Sequence, residues 1–307
     1  MRVCFVGLGS IAKRHIKNLK WILGSSIDIT VIRSGKGYEI EEALKSMIFR
    51  IVYANDELED AYDAVFITNP TYLHYNTLLQ YIDRSNNFFI EKPVFGTGEE
   101  DLAPFLNKGK TYYVACPLRY TNVIQYLKKK IDFSTIYAIR CISSSYLPEW
   151  REGVDYRDTY SAHRDMGGGV SIDLIHEWDY IHYLTGSPVQ VQSMIRKKSD
   201  LQIEADDIAV YIAEYEDKIV ELHLDYFGRK PMRKIELFGE RDTITADLIE
   251  QKIIWQCEGK SVDLCQERDE FQRLELKHFI DIVNHNSETD NGIEDACKIL
   301  RIARGII

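Results

Sequence analysis

Three short groups of residues in this 307-residue chain have types and spacings that suit chemistry. The first is Gly7-Leu8-Gly9-Ser10-Ile11-Ala12. Its glycines permit a tight turn and a close backbone approach to phosphate, and the small Ala12 lets a helix pack near the preceding strand. The N–H groups and positive dipole at the start of that helix would face a pyrophosphate. The motif predicts a dinucleotide site, with a plain tight turn as the alternative.

The second group is Glu91-Lys92-Pro93, which ends the apolar run Phe88–Ile90. A lysine at the end of a buried strand is partly desolvated, and such an ammonium suits acid–base catalysis. We expect Glu91 to hold Lys92 in place. The alternative is an ordinary surface lysine before a turn proline.

The third group lies on a helix predicted over Gly169–Leu184, where Asp173, His176, Glu177 and Tyr180 fall at i, i+3, i+4 and i+7. This spacing places them in one polar stripe, which is also the pattern of a solvated helix face. The preceding glycines, 167–169, permit close approach by a ligand or cofactor. A carboxylate beside an imidazole can orient it and stabilise its charged form.

From residue 1 to about 117, apolar strands alternate with helices, which predicts a parallel sheet covered on both faces. Ligands of such sheets bind beyond the carboxyl ends of the strands. The glycine turn, Asn69-Pro70 and Glu91-Lys92-Pro93 all follow strands, so we expect them to converge on one crevice. The predicted strands are Val3–Val6, Ile27–Ile32, Arg50–Tyr53, Ala64–Ile67, Phe88–Ile90 and Tyr112–Ala115, with helices at 11–22, 39–47, 73–82 and 99–106.

Beyond a helix at 121–130, strands follow one another, several with apolar and polar residues alternating, which predicts an antiparallel sheet with one wet face. Glu216-Asp217-Lys218 and Gly239-Glu240-Arg241-Asp242 are typical of hairpin turns. Two helices, at 268–285 and 293–307, close the chain. The predicted strands are Ile136–Ser144, Val189–Ile195, Ile208–Tyr215, Ile219–Tyr226, Lys234–Phe238, Thr243–Ala246 and Ile253–Gln256.

These patterns predict an α/β protein with two domains. Residues 1–118 form a doubly wound, NAD(P)-binding Rossmann domain. Residues 119–307 are expected to form an α+β domain with an open, mostly antiparallel sheet, and we expect this domain to bind substrate and to mediate oligomerisation. The last helix is expected to pack back on the first domain.

The end of the second strand bears on the choice of cofactor. NAD-specific proteins usually have an acidic residue there, which bonds the ribose 2′-hydroxyl. This chain has Arg33 and Ser34 with Lys36 beyond, a set better suited to a 2′-phosphate. The sequence favours NADP over NAD, with a solvated loop arginine as the alternative.

Composition excludes several classes of function. The net charge of −10 argues against general binding to nucleic acid or anionic membranes, and no apolar run is long enough to span a bilayer. The six cysteines are scattered with no C-x-x-C pair, which favours reduced thiols in a cytoplasmic protein and no zinc or disulfide framework. The first residues already form a core strand, so we expect no signal peptide.

Taken together, these motifs resemble the Gfo/Idh/MocA family of NAD(P)-dependent oxidoreductases, which act mostly on sugars, inositols and their derivatives. The resemblance covers nearly the whole chain. It implies that Lys92, Asp173 and His176 form the catalytic group. The commoner family spacing is Asp-x-x-x-His, whereas this chain has Asp-x-x-His, so whether Lys92 or His176 carries the proton stays open. The segments that carry the resemblance are Gly7–Ala12 with His15, Asn69-Pro70 with His74, Glu91-Lys92-Pro93, Arg119-Tyr120 and Gly167–His176.

The segment Tyr146–Arg164 is rich in Tyr, Trp and Arg, which suit sugar faces, carboxylates and phosphates, and also packed loops or interfaces. Parts of it look like a branch of the family associated with nucleotide-linked or surface-polysaccharide sugars. The candidate substrate contacts are Arg119, Tyr120, Arg151, Tyr156, Tyr160 and Arg164. The candidate cofactor contacts are Gly7, Gly9, Ser10, Ile11, Ala12, Arg33, Ser34, Asn69, Pro70, His74 and Glu91.

The expected reaction moves a hydride between a carbinol carbon of a sugar, nucleotide sugar or polyol and nicotinamide, without a metal. Two alternatives remain. A non-catalytic NAD(P)-binding redox sensor would need the glycine turn but no acid–base group. A redox-assisted elimination or glycoside cleavage would recycle a tightly held cofactor. An open sheet with an apolar face also favours a homo-oligomer.

Overall fold

The structure is a computed structural model that describes residues 1–35, 39–53, 61–106 and 109–306. Lys36 lies outside the described residues. The chain divides into two compact units, one of Met1–Cys116 with Gln272–Lys298 and one of Pro117–Phe271 with Ile299–Ile307. Residues 272–298, which the sequence analysis places in the second domain, cluster with the first unit.

The first unit contains a six-stranded, all-parallel sheet in the order β3-β2-β1-β4-β5-β6, as the Rossmann prediction requires. Most central-strand residues are buried, because helices cover a doubly wound sheet on both faces. The strands are β1 (Arg2–Val6), β2 (Asp28–Arg33), β3 (Arg50–Tyr53), β4 (Ala64–Ile67), β5 (Asn87–Ile90) and β6 (Thr111–Val114), with helices α1 (Ser10–Leu23), α2 (Glu42–Lys45) and α3 (His74–Tyr81).

The prediction of a helix over 99–106 is wrong. The structure has only a short 3-10 turn, Ala103–Phe105, because Pro104 interrupts the pattern and the preceding residues form their own turn. In that turn the Glu100 carboxylate accepts hydrogen bonds from the backbone N–H groups of Thr97 and Gly98, at 2.8 and 2.7 Å. A side chain bonded to nearby backbone competes with helix formation.

The second unit contains an eight-stranded sheet in the order β14-β13-β12-β11-β7-β10-β9-β8. Its pairs are antiparallel except β10 with β7, which run parallel, so the sheet is mixed. Both predicted hairpins are confirmed, and β14 was not predicted. The strands are β7 (Ile136–Tyr146), β8 (Gln190–Arg196), β9 (Ile208–Glu214), β10 (Ile219–Asp225), β11 (Phe227–Gly239), β12 (Thr243–Asp247), β13 (Lys252–Trp255) and β14 (Lys260–Asp263).

The helix predicted over Gly169–Leu184 is two helices, α5 (Val170–Asp173) and α6 (His176–Thr185), because the backbone leaves the helical region at Leu174 (φ −97°, ψ 30°). The interruption falls between Asp173 and His176, so these two residues do not share one regular helix. The remaining helices are α4 (Asn122–Lys130), α7 (Glu270–Val283) and α8 (Ile293–Ala303).

Candidate active site

The glycine turn after β1 has one position that packing requires to be glycine and one that faces open space. Gly7 has φ +98°, and a Cβ there would lie 2.8 Å from the Asn69 Cα. Gly9 is the N-cap of α1, and a Cβ there would meet no heavy atom of the described residues within 4 Å. Ala12 is fully buried in α1, as expected for the small residue between helix and strand. The turn thus leaves room beside Gly9 at the start of a helix, which is where a phosphate is bound in such folds.

The carboxyl ends of β1, β4 and β5 converge as predicted. The Thr68 N–H donates to the Val6 carbonyl and the Glu91 N–H to the Ile67 carbonyl, both at 3.0 Å. The Thr68 hydroxyl donates to the Gly7 carbonyl at 3.1 Å. The three polar segments that follow these strands therefore lie along one edge of the sheet.

Asn69 contributes an unsatisfied acceptor to this edge. Its Nδ2 donates to the Thr77 hydroxyl at 2.7 Å. Its Oδ1 is buried, and within the part of the chain that the structure describes it has no hydrogen-bond partner. Together with the open space at Gly9, this acceptor fits a bound dinucleotide, which carries phosphates for the helix start and hydroxyl or amide donors for Asn69. Pro70, which follows, is exposed.

The Glu91 carboxylate contacts His15, a pairing that the sequence analysis did not predict. The Glu91 Oε1 lies 2.5 Å from the Nε2 of His15, which is buried in α1. This pair fastens the end of β5 to the helix that starts at the glycine turn. Lys92 is half-buried and is joined to Pro93 by a cis peptide bond.

His74 is buried next to the same edge of the sheet and bonds to two of its loops. Its Nδ1 lies 3.1 Å from the Val94 carbonyl and its Nε2 lies 2.9 Å from the Asn69 carbonyl. Burial lowers the pKa of His74, and a neutral imidazole carries a single N–H, so it donates to only one of these carbonyls at a time. His74 thus joins two loops, and both of its ring nitrogens face protein carbonyls in place of the cofactor expected from the sequence.

Arg33 and Ser34 end β2 at this edge. The Gly7 N–H donates to the Ile32 carbonyl at 3.0 Å, which places the end of β2 beside the glycine turn. Arg33 is half-buried and Ser34 is exposed. This is the position from which a ribose 2′ substituent is bound in Rossmann folds.

In the second unit, the candidate Asp173 is held by a tyrosine that the sequence analysis did not select. The Tyr226 hydroxyl donates to the Asp173 Oδ2 at 2.6 Å, and both residues are buried. Burial, and then the charge of Asp173, raise the pKa of Tyr226 well above its usual value. Tyr226 follows β10, and its sequence position gave no signal, because the contact spans 53 residues.

Tyr160, a predicted substrate contact, also lies against Asp173. Tyr160 as a whole is 42% exposed. Burial and the neighbouring Asp173 carboxylate nevertheless raise the pKa of its hydroxyl. The hydroxyl is therefore covered, while part of the ring is exposed. The Arg151 guanidinium, which is exposed, lies over this ring at 5.6 Å from the centroid. Arg151, Tyr160 and Asp173 thus form a path from the surface to a buried carboxylate.

The predicted polar stripe is not a solvated face. Glu177 is fully buried and accepts from the Arg233 Nε at 2.7 Å. The Tyr180 hydroxyl lies 3.1 Å from the Cys141 Sγ in the core. His176, the first residue of α6, is half-buried.

The glycine run before α5 brings the chain close to itself. A Cβ on Gly168 would overlap the Tyr160 carbonyl oxygen, and one on Gly169 would overlap the Asp206 carboxylate. Asp206 accepts from the Ser171 N–H at 2.9 Å. The close approach expected of a ligand or cofactor at Gly168 and Gly169 is instead made by the protein.

Arg119 is only 2% exposed, and its Nε and Nη2 donate to the two carboxylate oxygens of Asp179 at 2.9 and 2.8 Å. This buried pair gives Arg119 a structural role, and we leave it out of the proposed substrate contacts. Tyr120 and Tyr156 are half-buried, and Arg164 is exposed. The Tyr156 hydroxyl accepts from the Gln202 N–H at 3.2 Å.

The described residues contain neither a membrane-spanning helix nor a metal-binding cluster. None of the helices in the described ranges has both the length and the apolar character needed to cross a membrane. Within the same ranges, no three His, Cys, Asp or Glu side chains are grouped so that they could hold a metal ion.

Comparisons with known proteins place the chain in a family. Residues 1–110 match the model of the GFO_IDH_MocA oxidoreductase family with an NAD-binding Rossmann fold, and residues 124–245 match the GFO/IDH/MocA C-terminal domain. The uncharacterized oxidoreductase YrbE of Bacillus subtilis is 23% identical over 97% of this chain and 91% of its own length.

Two solved structures share the fold. UDP-N-acetylglucosamine 3-dehydrogenase GnnA from Acidithiobacillus ferrooxidans has a TM-score of 0.77 and 18% identity, over 99% of this chain and 95% of its own. The WlbA dehydrogenase from Bordetella pertussis, in complex with NADH and UDP-GlcNAcA, has a TM-score of 0.79 and 17% identity, over 100% and 95%. Because the two family models together cover most of the sequence, the chain belongs to the Gfo/Idh/MocA family of oxidoreductases.

Proposed function

We propose that this protein is an NAD(P)-dependent dehydrogenase or reductase that acts on a CH–OH group of a sugar or nucleotide sugar. The observation that carries the proposal is the edge of the parallel sheet, where the open glycine turn, the Asn69 acceptor and Lys92 follow hydrogen-bonded strands. Family membership supports the redox chemistry. The names of GnnA and WlbA support a nucleotide sugar as substrate.

In the proposed mechanism, a bound nicotinamide supplies the hydride acceptor or donor. Lys92 or His176 takes the proton of the substrate hydroxyl during oxidation and returns it during reduction. Asp173 orients His176 and stabilises its charged form. Tyr226 fixes the Asp173 carboxylate through its 2.6 Å hydrogen bond.

We assign most of the remaining predicted residues to binding and exclude His74 and Arg119, which bond to other parts of the protein. Gly7, Gly9, Ser10, Ile11 and Ala12 form the phosphate turn, while Arg33 and Ser34 favour NADP through a 2′-phosphate. We assign substrate contacts to the aromatic and basic residues that precede α5, together with Tyr120. They are Arg151, Tyr156, Tyr160 and Arg164.

We also propose that the open face of the eight-stranded sheet joins copies of this chain. Met194 and Ile212 are exposed on this face, beside Arg140, which pairs with Glu221 and Glu236 at 3.3 and 3.5 Å. A self-complementary two-fold contact would bury the apolar residues and re-pair the charges. Sedimentation velocity tests this, and a monomer at all concentrations would contradict it.

The function is tested with a panel of sugars and nucleotide sugars, each incubated with NAD and with NADP and followed by absorbance of the reduced nicotinamide. We expect Lys92→Ala to lower kcat about 10²- to 10⁴-fold, as loss of an acid–base group does, with little change in cofactor affinity. Lys17→Ala, an exposed lysine of α1, is the matched control and should retain activity.

Each other outcome has a meaning. Full activity of Lys92→Ala would remove Lys92 from the mechanism. Cofactor binding without any reactive compound would favour the redox sensor. Product formation with tightly held cofactor and no net change in its redox state would favour elimination or glycoside cleavage.

A further inference from the structure

We propose that the second unit carries a binding site for a small organic oxyanion, separate from the residues assigned above to catalysis and substrate. The site is a cavity of about 430 Å³ beside the start of α4, β11 and the turn between β12 and β13. This volume lies within the range of small-molecule sites, about 300–1,000 Å³. None of the residues assigned above to the catalytic group, the cofactor or the substrate lines it.

Arg233 gives the cavity a guanidinium in a fixed position. Its Nε donates to the Glu177 carboxylate at 2.7 Å, and Glu177 is fully buried. Among the described residues, the side-chain hydrogen bond of Arg233 is made by Nε, which leaves its two Nη groups for a ligand. The side chain is 27% exposed, so its outer end reaches the cavity that it lines. A guanidinium held in this way presents two parallel N–H donors to a carboxylate or phosphate.

The charge around the cavity favours an anion despite the net charge of −10 of the chain. Arg268 is a second cation on the lining, exposed to solvent, and Glu267 is the acidic residue on the same lining. The first N–H groups of α4 are already bonded, that of Asn122 to Gln266 and that of Ile124 to Thr121. The helix therefore adds its dipole but no free donor at these positions.

The rest of the lining is largely apolar, which sets the class of ligand. Leu118 and Val123 are buried beneath the cavity, and Ile249 stands at its edge with 48% of its surface exposed. Leu248, Leu264 and Phe271 complete the apolar wall. A ligand that matches both the guanidinium and the apolar wall carries an oxyanion on an aromatic or aliphatic group. A phosphate monoester or a carboxylate is such a ligand.

The test is isothermal titration of the full chain with phenyl phosphate and, separately, with benzyl alcohol. We expect phenyl phosphate to bind and benzyl alcohol to give no heat of binding. Ile249→Glu should weaken the binding of phenyl phosphate at least tenfold, because the substitution adds a negative charge at the cavity. Ile249→Gln, of the same length but neutral, should change binding less than twofold. Both substitutions are at an exposed residue, so the fold is retained.

Arg268→Gln should weaken binding severalfold, whereas Arg241→Gln should not. Arg241 lies on the exposed hairpin between β11 and β12, outside the cavity lining. Equal affinity in Ile249→Glu and Ile249→Gln would overturn the proposal, as would equal binding of benzyl alcohol or no binding at millimolar phenyl phosphate. Because no catalytic residue is altered, these outcomes leave the proposed dehydrogenase activity untouched.

Discussion

Each unit has a glycine-rich turn before a helix, and the space beside the two turns is filled differently. At Gly9 in the first unit, an added Cβ would lie more than 4 Å from every heavy atom in the part of the chain that the structure describes. At Gly168 and Gly169 in the second, it would overlap a backbone carbonyl and the Asp206 carboxylate. A glycine in such a turn therefore indicates that another group lies close to the backbone at that position. Its surroundings decide whether that neighbour is a ligand or the chain itself.

The largest expected effect is that of Gly168→Ala. The added methyl overlaps the Tyr160 carbonyl, and backbone atoms cannot move aside cheaply, so we expect a loss of about 3 kcal/mol or more in the free energy of unfolding. Gly186→Ala is the control, with φ +82° at the end of α6 but open space around it, and should cost about 1 kcal/mol. Urea unfolding measures both. Equal losses would show that the chain does not crowd Gly168.

Gly9→Ala should weaken cofactor binding more than it lowers the stability of the fold. We expect at least about a tenfold loss of NADH and NADPH affinity, close to 1.4 kcal/mol, because the methyl occupies the space a pyrophosphate needs. Stability should fall by about 1 kcal/mol, because alanine is a poorer N-cap residue than glycine. Gly292→Ala, before α8 and also in open space, should leave affinity unchanged. Fluorescence titration measures both, and unchanged affinity in Gly9→Ala would mean that the open space is not the phosphate site.

The smallest effect concerns the carboxylate that crowds Gly169. Burial raises the pKa of Asp206, against hydrogen bonds from Ser171 and the charge of Arg164. A carboxyl group whose pKa is higher in the folded state costs stability as the pH rises above its unfolded value, about 3.9. Asp206→Asn keeps an oxygen for the Ser171 N–H without the charge. We therefore expect it to be more stable at pH 7 by up to about 1 kcal/mol, or roughly 2–4 °C in Tm.

That advantage should shrink as the pH is lowered towards 4, because the wild-type carboxyl becomes neutral as well. Thermal unfolding of both proteins from pH 4 to 8 measures it. A difference in Tm that is constant with pH would mean that the charge of Asp206 is not what the substitution relieves.

The first unit could be predicted closely from its sequence because its signals are local. Apolar runs such as Ala64–Ile67 are bounded by turn residues, and parallel strands bring their carboxyl ends to one edge. The exception, 99–106, contained a proline and a competing Glu100 turn. What could not be predicted was the pairing of Glu91 with His15, 76 residues apart.

The second unit was predicted less well because its partners are distant in sequence. The stripe over Asp173–Tyr180 has the spacing of a solvent-exposed helix face, yet contacts with three residues distant in sequence bury its members. These residues are Tyr226, Arg233 and Cys141, and the spacing of the stripe does not reveal them. The alternation of apolar and polar residues likewise does not reveal that β10 pairs with β7 in parallel. The edge strand β14 has one apolar residue, Val262, and so lacked a strand signal.

The late position of α7 has a consequence for how the chain is made. Phe279 of α7 meets the rings of Phe66 and Phe89 edge-on, at 5.5 and 5.2 Å between centroids, inside the first unit. Those two aromatic rings come from the first third of the chain, and their partner emerges from the ribosome only after some 190 more residues, by the numbering of Phe89 and Phe279. The part of the first unit that is synthesised first must therefore wait, with part of its core uncovered, until Phe279 has been synthesised.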